Sequence, residues 1–245
     1  MIYSGVKGVI FDLGSTLIEY ENRDWTEIAL DGQRLGYKQL LDSDHVLPDF
    51  ETFNARLEEI KGEFRQVAIS TLNEWNAIDA PTKLLTELGL ENAKEQGWNF
   101  MEAFYSFIRD PLTVEDGARK TLKSLMARGF KTGLISNTIF EPHQHDVDIK
   151  MFGLMPYLGF RIYSTSFGKR KPHKDIFLAG LEEIGLTAEE TVYVGDRFTE
   201  DVEGPLGVGI RPILKKRAGR EYPDELPDGV VTINKLSELL DIVQK

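Results

Sequence analysis

Residues 6–17 read VKGVIFDLGSTL, an apolar run that ends in a polar turn. The run from Val6 to Phe11 is short, continuous and rich in strand-forming side chains, which is typical of a strand buried on both faces of a parallel sheet. Asp12, Gly14 and Ser15 then supply residue types that favour turns. The stretch therefore predicts an internal strand that places a carboxylate, Asp12, at its carboxyl end.

Residues 18–112 contain no comparable run and carry their apolar side chains at helical spacing. The period predicts a helix over residues 53–69. Two further helices are predicted, one from Pro81 to about Gly89 and one from Trp98 to Ile108, the latter ended by a proline. The block predicts an all-helical insert between the first strand and the rest of the sheet.

From residue 113 onward, strand-like and helix-like segments alternate. Strands are predicted at 131–135, 161–164, 191–194, 210–214 and 230–233, with helices at 115–128, 174–184 and from Asn234 to Val243. Alternation of this kind predicts a doubly wound parallel sheet. The predicted fold class is α/β, with a Rossmann-like core formed by residues 1–17 and 113–245 and an inserted helical domain over residues 18–112.

Composition limits the possible classes of function. The 245 residues are 41% hydrophobic, and 40 acidic against 29 basic residues leave a net charge of −11. Such a surface argues against nucleic acid or an anionic membrane as a partner. The chain has no cysteine, which excludes disulfides, zinc–thiolate sites and cysteine nucleophiles. No stretch approaches the roughly 18 apolar residues that span a bilayer, and no secretory leader pattern is present, so we expect a cytoplasmic protein.

Polar side chains follow four of the predicted strands or lie in the loops just beyond them. They are Asp12, Ser136 with Asn137, the trio Lys169, Arg170 and Lys171, and Asp196 with Asp201. Each group by itself is ordinary turn or helix-cap chemistry. Ligands of open α/β sheets, however, bind at the carboxyl ends of the strands. We therefore expect all four groups to lie along one edge of the sheet.

Three carboxylates at one sheet edge repel one another unless a cation lies between them. Asp12, Asp196 and Asp201 offer oxygen ligands only, and oxygen-only sites suit Mg²⁺. In proteins, Mg²⁺ commonly takes one or two carboxylates together with a substrate phosphate. Ser136, Asn137 and a lysine are then natural donors to the other phosphate oxygens. The pattern predicts a combined magnesium and phosphate site.

Two further polar clusters are given no functional role. Basic residues 215–217 and Arg220 are interpreted as a solvated loop. His143 and His145, close to two aspartates, lack a recognised metal-ligand spacing and are interpreted as a polar loop. Neither cluster predicts a site.

In chain order, the motifs are a strand with DxGxT, a helical insert, a strand with Ser-Asn, a Lys-Pro pair, and a strand with GDxxxxD. Over essentially its full length the chain resembles the haloacid dehalogenase superfamily of phosphohydrolases. The resemblance implies a phosphatase that uses Mg²⁺ to hydrolyse a small phosphorylated metabolite. It also implies that residues 18–112 form a cap over the site. A cap that closes excludes water and selects the substrate.

The resemblance further implies roles for single residues. Asp12 matches the nucleophile that attacks phosphorus and becomes an aspartyl phosphate. Ser136 matches the hydroxyl that binds the transferring phosphoryl group, with Asn137 beside it. Lys171 rather than Lys169 matches the family lysine, because a proline follows it. The implied metal ligands are Asp12, the carbonyl group of Gly14, Asp196 and, in support, Asp201.

One position departs from the family pattern. Family phosphatases carry a second aspartate two residues after the nucleophile, where this chain has Gly14. A glycine retains the carbonyl group that ligates Mg²⁺ but lacks the side chain that protonates the leaving group and later activates water. General acid–base catalysis contributes roughly 10²–10⁴-fold. We therefore hypothesise a phosphatase whose rate depends unusually strongly on the pKa of the leaving group.

Acidic residues that follow the motif are candidate replacements for the missing acid. Glu19, Glu21 and Asp24 are the nearest, and we interpret each as a solvated surface charge. The three tryptophans of the insert are interpreted as core anchors, with Trp25 close enough to the motif to face the site.

Three alternatives to a phosphatase stay open. A non-catalytic phosphate-binding or regulatory protein would keep the site without turnover. A haloacid dehalogenase would attack carbon without a metal, and the retained Asp196 argues against it because an extra carboxylate repels an anionic substrate. A phosphonate hydrolase would use a cap lysine as a Schiff base. The candidate lysines are Lys38, Lys61, Lys83 and Lys94.

Overall fold

The computed structural model describes residues 3–21, 24–42 and 46–245. The parts of the predicted domains that lie outside the described residues are 1–2, 22–23 and 43–45. In chain order, the strands are β1 (Gly8–Phe11), β2 (Ile18–Glu19), β3 (Thr113–Val114), β4 (Lys131–Ser136), β5 (Arg161–Tyr163), β6 (Thr191–Gly195), β7 (Arg211–Lys215) and β8 (Val231–Ile233).

The helices are α1 (Trp25–Leu41), α2 (Phe50–Thr71), α3 (Asp79–Glu87), α4 (Ala93–Arg109), α5 (Ala118–Ala127), α6 (Pro142–Met151), α7 (Ser164–Phe167), α8 (Lys174–Ile184), α9 (Gly204–Leu206) and α10 (Leu239–Ile242). Short 3₁₀ turns occupy Met155–Tyr157 and Leu236–Glu238, and a π-helical turn occupies Thr199–Glu203. None of these described helices combines the length and apolarity needed to cross a bilayer.

Six strands form one parallel sheet in the order β5–β4–β1–β6–β7–β8. Alternate side chains of a strand face opposite sides of the sheet. Val9 and Phe11 accordingly pack in one apolar cluster with α5, while Ile10 packs in another with α8. Helices therefore cover both faces, which explains why the run that opens the chain is apolar without alternation. The predicted α/β class with a doubly wound parallel sheet is confirmed.

The centre of the sheet positions the site. β1 lies between β4 and β6, and the chain builds one half of the sheet outward from β4 and the other half outward from β6. The carboxyl ends of these three strands consequently lie side by side where the winding direction changes, the place where doubly wound sheets bind their ligands.

The predicted insert contains helices α1 to α4, which pack around an apolar cluster of their own. Helix α1 approaches α4 closely because glycines of α1 face the aromatic rings of α4. A Cβ atom at Gly36 would lie only 2.7 Å from the Phe100 ring. The antiparallel pair of β2 and β3, with Ile18 opposite Val114, ties together the two points where the chain leaves the core and returns to it.

Most predicted elements lie within two or three residues of the observed ones. The exceptions are α4, which begins five residues before the predicted Trp98, helices α1 and α6, which were not predicted, and the closing helix. Residues 234–243 do not form one helix from Asn234. The Glu238 carboxylate accepts hydrogen bonds from the main-chain N–H groups of Asn234 and Lys235, at 3.1 and 2.7 Å. These bonds close a 3₁₀ turn, and only the four residues of α10 follow as α-helix.

Candidate active site

The predicted strand-end residues lie around one pocket. Asp12 follows β1, Ser136 ends β4 and Asp196 follows β6, and Lys171 comes from the loop between α7 and α8. The pocket encloses about 310 Å³ and is lined by Asp12, Gly14, Ser136, Asn137 and Lys171 together with residues of the insert. Asp196 lies fully buried. The structure thus brings the four groups to one edge of the sheet.

Lys171 is the centre of the charge arrangement. Its side chain is only 2% exposed, and its Nζ donates hydrogen bonds to Asp12 Oδ1 at 2.7 Å and to Asp201 Oδ1 at 2.6 Å. Burial alone would lower the pKa of Lys171, but the charges of Asp12 and Asp201 outweigh burial and raise it well above its usual value. A permanent positive charge therefore lies against the predicted nucleophile.

Two further side chains hold Lys171 in place. The Tyr193 hydroxyl accepts a hydrogen bond from Lys171 Nζ at 2.9 Å and donates one to the Ile135 carbonyl group at 3.0 Å. Asn137 accepts from the Lys171 main-chain N–H at 2.7 Å and donates to the Lys171 carbonyl group at 3.0 Å. Asn137 therefore positions the lysine loop, and its predicted contact with phosphate stays a prediction.

Sequence reasoning missed Tyr193, although a signal existed. A tyrosine inside a strand that is buried on both faces needs a partner for its hydroxyl group, and Lys171 and the Ile135 carbonyl group are those partners.

Asp196 and Asp201 have different surroundings. Asp201 Oδ2 accepts from the main-chain N–H groups of Asp196 and Arg197, at 3.1 and 2.9 Å, so both of its oxygens are engaged. Both oxygens of Asp196 are buried without a hydrogen bond from any described residue. Arg220 Nη2 lies 3.0 Å from Asp196 Oδ2, but outside hydrogen-bond geometry. Asp196 is thus a buried carboxylate with unused ligand atoms.

The carboxylates carry an excess of negative charge. Burial, together with Asp201, raises the pKa of Asp12 to about 6 against the opposing charge of Lys171. Burial and the charges of Asp12 and Asp201 raise the pKa of Asp196 to about 7. Burial is the main cause of both shifts, and repulsion between neighbouring carboxylates adds to it.

The donor set fits a small, hard cation. One oxygen atom each from Asp12, Asp196 and Asp201 lies within 4.8 Å of the others. These ligands are all oxygen, and no other acidic or histidine trio in the described ranges is grouped in this way. The orphaned oxygens of Asp196 and the absence of nitrogen or sulfur ligands suit Mg²⁺. Asp201, with both oxygens occupied, fits a supporting role.

Of the basic residues at the end of β7 and just beyond it, Lys216 is exposed, but Lys215, Arg217 and Arg220 are not solvated, so the interpretation as a solvated loop is wrong for these three. Lys215 is buried and donates to the Ser15 carbonyl group at 2.9 Å. Arg217 Nη1 pairs with Glu19 at 2.9 Å, and Arg220 Nη2 pairs with Glu21 at 3.0 Å. The acidic side chains that follow the first motif attract these cations, and the resulting contacts fix the loop that follows Asp12.

The same contacts exclude the acidic residues that follow the motif as ready replacements for a general acid. Glu19 and Glu21 are ion-paired rather than solvated. Asp24 caps α1 by accepting from the N–H groups of Thr26 and Glu27, at 2.7 and 3.2 Å. Those two backbone hydrogen bonds lower the pKa of Asp24, which is the wrong direction for an acid.

Steric crowding does not require a glycine at residue 14. A Cβ atom there would meet only Tyr20 Cδ2, at 3.8 Å, which is ordinary van der Waals contact. A side chain at residue 14 therefore fits the backbone, and the missing carboxylate is a chemical rather than a steric feature of this chain.

Glu74, in the loop between α2 and α3, is a pocket residue that sequence reasoning missed. Its side chain is 1% exposed and lines the same pocket as Asp12. Glu74 Oε2 accepts from Ser164 Oγ at 2.8 Å, and Arg170 Nη1 lies 3.4 Å from its Oε1. Burial is the main cause that raises the pKa of Glu74. Nothing in the local sequence marks this glutamate, because its partners lie 90 and 96 residues away.

His145 belongs to α6 rather than to a polar loop, so that interpretation is also wrong. Its Nε2 lies 2.6 Å from Thr138 Oγ1, and its Nδ1 lies about 3 Å from the hydroxyl groups of Tyr20 and Tyr105. Burial lowers the pKa of His145 to about 3. The ring is therefore neutral and links the loop after β4 to the insert.

The chain shows similarity to known proteins over its whole length. The family model described as haloacid dehalogenase-like hydrolase matches residues 6–209. The chain is 32% identical to a glyceraldehyde 3-phosphate phosphatase of Methanocaldococcus jannaschii, over 98% of this chain and 97% of that protein. It is 28% identical to a glyceraldehyde 3-phosphate phosphatase of Pyrococcus furiosus, over 98% and 94%.

Among solved structures, a 2-haloacid dehalogenase from Pseudomonas syringae matches with a TM-score of 0.70 at 24% identity, over 99% of this chain and 98% of that chain. At this identity the likeness shows a shared fold. The family predicted from the motifs is confirmed by the family match and by curated relatives that are phosphatases. The chain belongs to the haloacid dehalogenase-like hydrolase family.

Proposed function

We propose that this chain is a Mg²⁺-dependent phosphomonoesterase that acts on a small phosphorylated metabolite through an aspartyl phosphate at Asp12. The observation that carries the proposal is the Lys171 ammonium group held between Asp12 and Asp201, next to a buried Asp196 without a hydrogen bond from the described chain. The name shared by these curated relatives supports the same reaction class, so glyceraldehyde 3-phosphate belongs in the panel of esters to assay.

The residues of the pocket suit nucleophilic displacement at phosphorus. A bond forms between an Asp12 carboxylate oxygen and phosphorus while the ester P–O bond breaks, and the departing oxygen keeps the electron pair and takes a proton from water. Water then attacks the aspartyl phosphate, releasing inorganic phosphate and restoring the carboxylate. The Ser136 hydroxyl, which bonds to no side chain in the described ranges, is free to donate to a phosphoryl oxygen.

The positive charge for this chemistry comes from two sources. Lys171 lies 2.7 Å from Asp12 and is placed to share its remaining charge with the phosphoryl oxygens. When bound, Mg²⁺ would be held by Asp12, Asp196 and the Gly14 carbonyl group, with Asp201 in support, and would neutralise phosphoryl charge. Neither source supplies a proton to the leaving group, so the dependence of the rate on leaving-group pKa belongs to the proposal.

The geometry also weighs on the alternative functions. Asp196 disfavours a metal-free dehalogenase, because it is a second carboxylate beside Asp12 at a site that would receive an anion. Lys61 and Lys83 are ion-paired with Glu58 and Glu63. The described residues place no lysine of the insert in the wall of the catalytic pocket, which disfavours a Schiff-base phosphonate hydrolase. Only a measurement of turnover distinguishes the non-catalytic alternative from a phosphatase.

The proposal is tested by phosphate release from a panel of phosphate esters, with Mg²⁺ and with a chelator. We expect turnover with Mg²⁺ only, and we expect Asp12→Asn to lower kcat by about 10³-fold or more because it removes the nucleophile. Asp116→Asn makes the same charge change at an exposed aspartate away from the pocket and should retain activity.

Full activity of Asp12→Asn would rule out the mechanism. Halide release from haloacids in chelator would favour the dehalogenase. Phosphate binding by calorimetry, without turnover of any ester, would favour the non-catalytic alternative.

A further inference from the structure

A second cavity lies between helices of the insert and the loop after β4, and it has a different character from the catalytic pocket. It encloses about 550 Å³ between α1, α2 and α4. Its walls are mostly apolar and aromatic, among them Leu57, Trp75, Phe100 and Phe104. We call this cavity the insert chamber. Cavities of roughly 300–1,000 Å³ with such walls are typical of sites that enclose organic ligands.

The insert chamber and the catalytic pocket lie side by side. Trp25, Ile139 and Phe140 line both cavities. Ile139 and Phe140 come directly after Ser136, Asn137 and Thr138, the loop that faces the predicted phosphoryl position. The loop after β4 and Trp25 therefore form a boundary that the two cavities share.

The direction of the displacement brings the leaving group toward the insert. In phosphoryl transfer the attacking and leaving oxygens lie roughly in line on opposite sides of phosphorus. Asp12 attacks from the sheet edge, so the leaving group points away from β1. Tyr20, Glu21, Trp25 and Glu74 line the pocket from the insert side, and the leaving group consequently extends in the direction of the chamber.

Most polar groups that line the chamber either satisfy one another or, like Thr26 and Arg65, are themselves exposed to solvent. Gln33 and Lys61 both bond to Glu58, so these charges and donors satisfy one another. A buried acceptor, Asn54 Oδ1, has no partner in the described chain and leaves room for one hydroxyl or amide donor. The remaining walls favour burial of apolar surface.

We propose that the insert chamber binds the leaving group of the substrate and that this leaving group is a predominantly apolar alcohol, larger than a three-carbon unit. The inference rests on the proposed function, since a phosphoryl group at Asp12 fixes which end of the substrate enters the chamber. It assigns substrate choice to a cavity between α1, α2 and α4 rather than to the polar pocket.

The experiment compares kcat/KM for straight-chain alkyl monophosphates from ethyl to octyl, below their micelle concentrations. Leaving-group pKa changes little along this series, so chain length is isolated from protonation. Each buried methylene is worth about 0.8 kcal/mol, which corresponds to a rise of about fourfold in kcat/KM per methylene until the chamber is full. A flat series would overturn the proposal.

A matched pair of variants locates the effect. Ala29→Phe fills the chamber from α1 and should lower the octyl-to-ethyl ratio of kcat/KM at least tenfold. Ala55→Phe makes the same change at an exposed position of α2 outside the chamber and should leave the ratio unchanged. The ratio does not depend on the folded fraction, so partial misfolding does not obscure the result. An unchanged ratio in Ala29→Phe would contradict the proposal.

Binding separates this inference from the proposed function. Calorimetric Kd values for ethylphosphonate to octylphosphonate, which are not hydrolysed, should fall with chain length in the wild type and not in Ala29→Phe. That result, without turnover of any ester, would contradict the proposed phosphatase function but support binding of apolar groups in the chamber. Turnover of short esters with no chain-length dependence of either kcat/KM or Kd would support the phosphatase function and contradict binding of the leaving group in the chamber.

Discussion

The catalytic pocket and the insert chamber lie next to each other and are built in opposite ways. In the pocket, buried charges hold one another at fixed distances, as Lys171 does with Asp12 and Asp201. In the chamber, the walls are mostly apolar side chains, and Glu58 takes up the neighbouring donors. Hydrogen bonds and ion pairs are directional and hold reacting groups in place, whereas apolar contacts are non-directional and select a ligand by its size and shape. The comparison separates the two proposed tasks, which are catalysis at the sheet edge and substrate choice in the insert.

The largest expected effect comes from removing the charge on which the pocket depends. Lys171→Met leaves Asp12 and Asp201 buried without their shared cation, so we expect kcat to fall by about 10³-fold. Lys169→Met is the matched control two residues away, because Lys169 is bonded to Asn73 outside the pocket. It should change kcat less than about twofold.

Steady-state kinetics with Mg²⁺ on variants shown to be folded by circular dichroism make this measurement. Equal losses in the two variants would mean that the loop, rather than the Lys171 charge, is what catalysis requires.

The second prediction adds to the pocket the group that it lacks. Gly14→Asp adds a carboxyl group at a position where a Cβ atom makes only ordinary contact, and we expect turnover of alkyl phosphates to rise about 10- to 100-fold. Turnover of p-nitrophenyl phosphate, whose leaving group needs no proton, should change little. The measurement is the slope of log kcat against leaving-group pKa for both proteins.

A wild-type slope already as shallow as that of Gly14→Asp would show that another acid acts in the pocket. Glu74 would then be the first residue to substitute, since its pKa is raised mainly by burial and it lines the same pocket.

The third prediction concerns stability. Without metal, the pKa of Asp196 is about 7 and that of Asp12 about 6, both above the ordinary 3.8. The folded state then binds protons more tightly than the unfolded chain between about pH 4 and 7, so the free energy of unfolding falls as pH rises through this window. We expect the metal-free Tm to be higher at pH 5 than at pH 8, by roughly 2–4 °C for each kcal/mol of linkage.

Mg²⁺ should reverse this trend, raising Tm at pH 8 more than at pH 5, because it binds the ionised carboxylates. Asp196→Asn is the control: it removes one raised group and should shrink both the pH difference and the response to Mg²⁺. Calorimetric scans at the two pH values make the test, and an Asp196→Asn protein with an undiminished response would show that the cation binds elsewhere.

The same contrast explains which site residues can be predicted from the sequence. Charged residues at the ends of apolar strands are unusual enough to be noticed, and the topology of a doubly wound sheet requires them to meet. The meeting of Asp12, Ser136, Lys171 and Asp196 at one edge of the sheet is therefore predictable from the amino-acid sequence alone. Tyr193 is harder to identify because it lies inside a strand, where an aromatic side chain is expected for packing and its hydroxyl group attracts no notice.

Contacts distant in sequence were beyond prediction. Arg217 and Arg220 look like loop residues because their acidic partners, Glu19 and Glu21, lie almost 200 residues earlier. The chamber was also invisible, since the side chains that line a cavity are of the same types as those that fill a core. Only packing distinguishes the two, and packing depends on helices far apart in the chain.

The smallest expected effect tests whether the insert sets the chamber through the spacing of α1 and α4. A Cβ at Gly36 would lie 2.7 Å from the Phe100 ring, which also lines the chamber. Gly36→Ala should therefore lower the free energy of unfolding by about 1–3 kcal/mol through overpacking, and it should alter the octyl-to-ethyl ratio as the ring shifts. Gly62→Ala, in α2 with nothing within 4 Å of the new Cβ, should instead stabilise by about 0.5–1 kcal/mol and leave the ratio alone. Urea denaturation measures the change in stability, and the alkyl phosphate series measures the octyl-to-ethyl ratio of kcat/KM. An equal ratio in the two variants would show that the contact between α1 and α4 does not affect substrate choice.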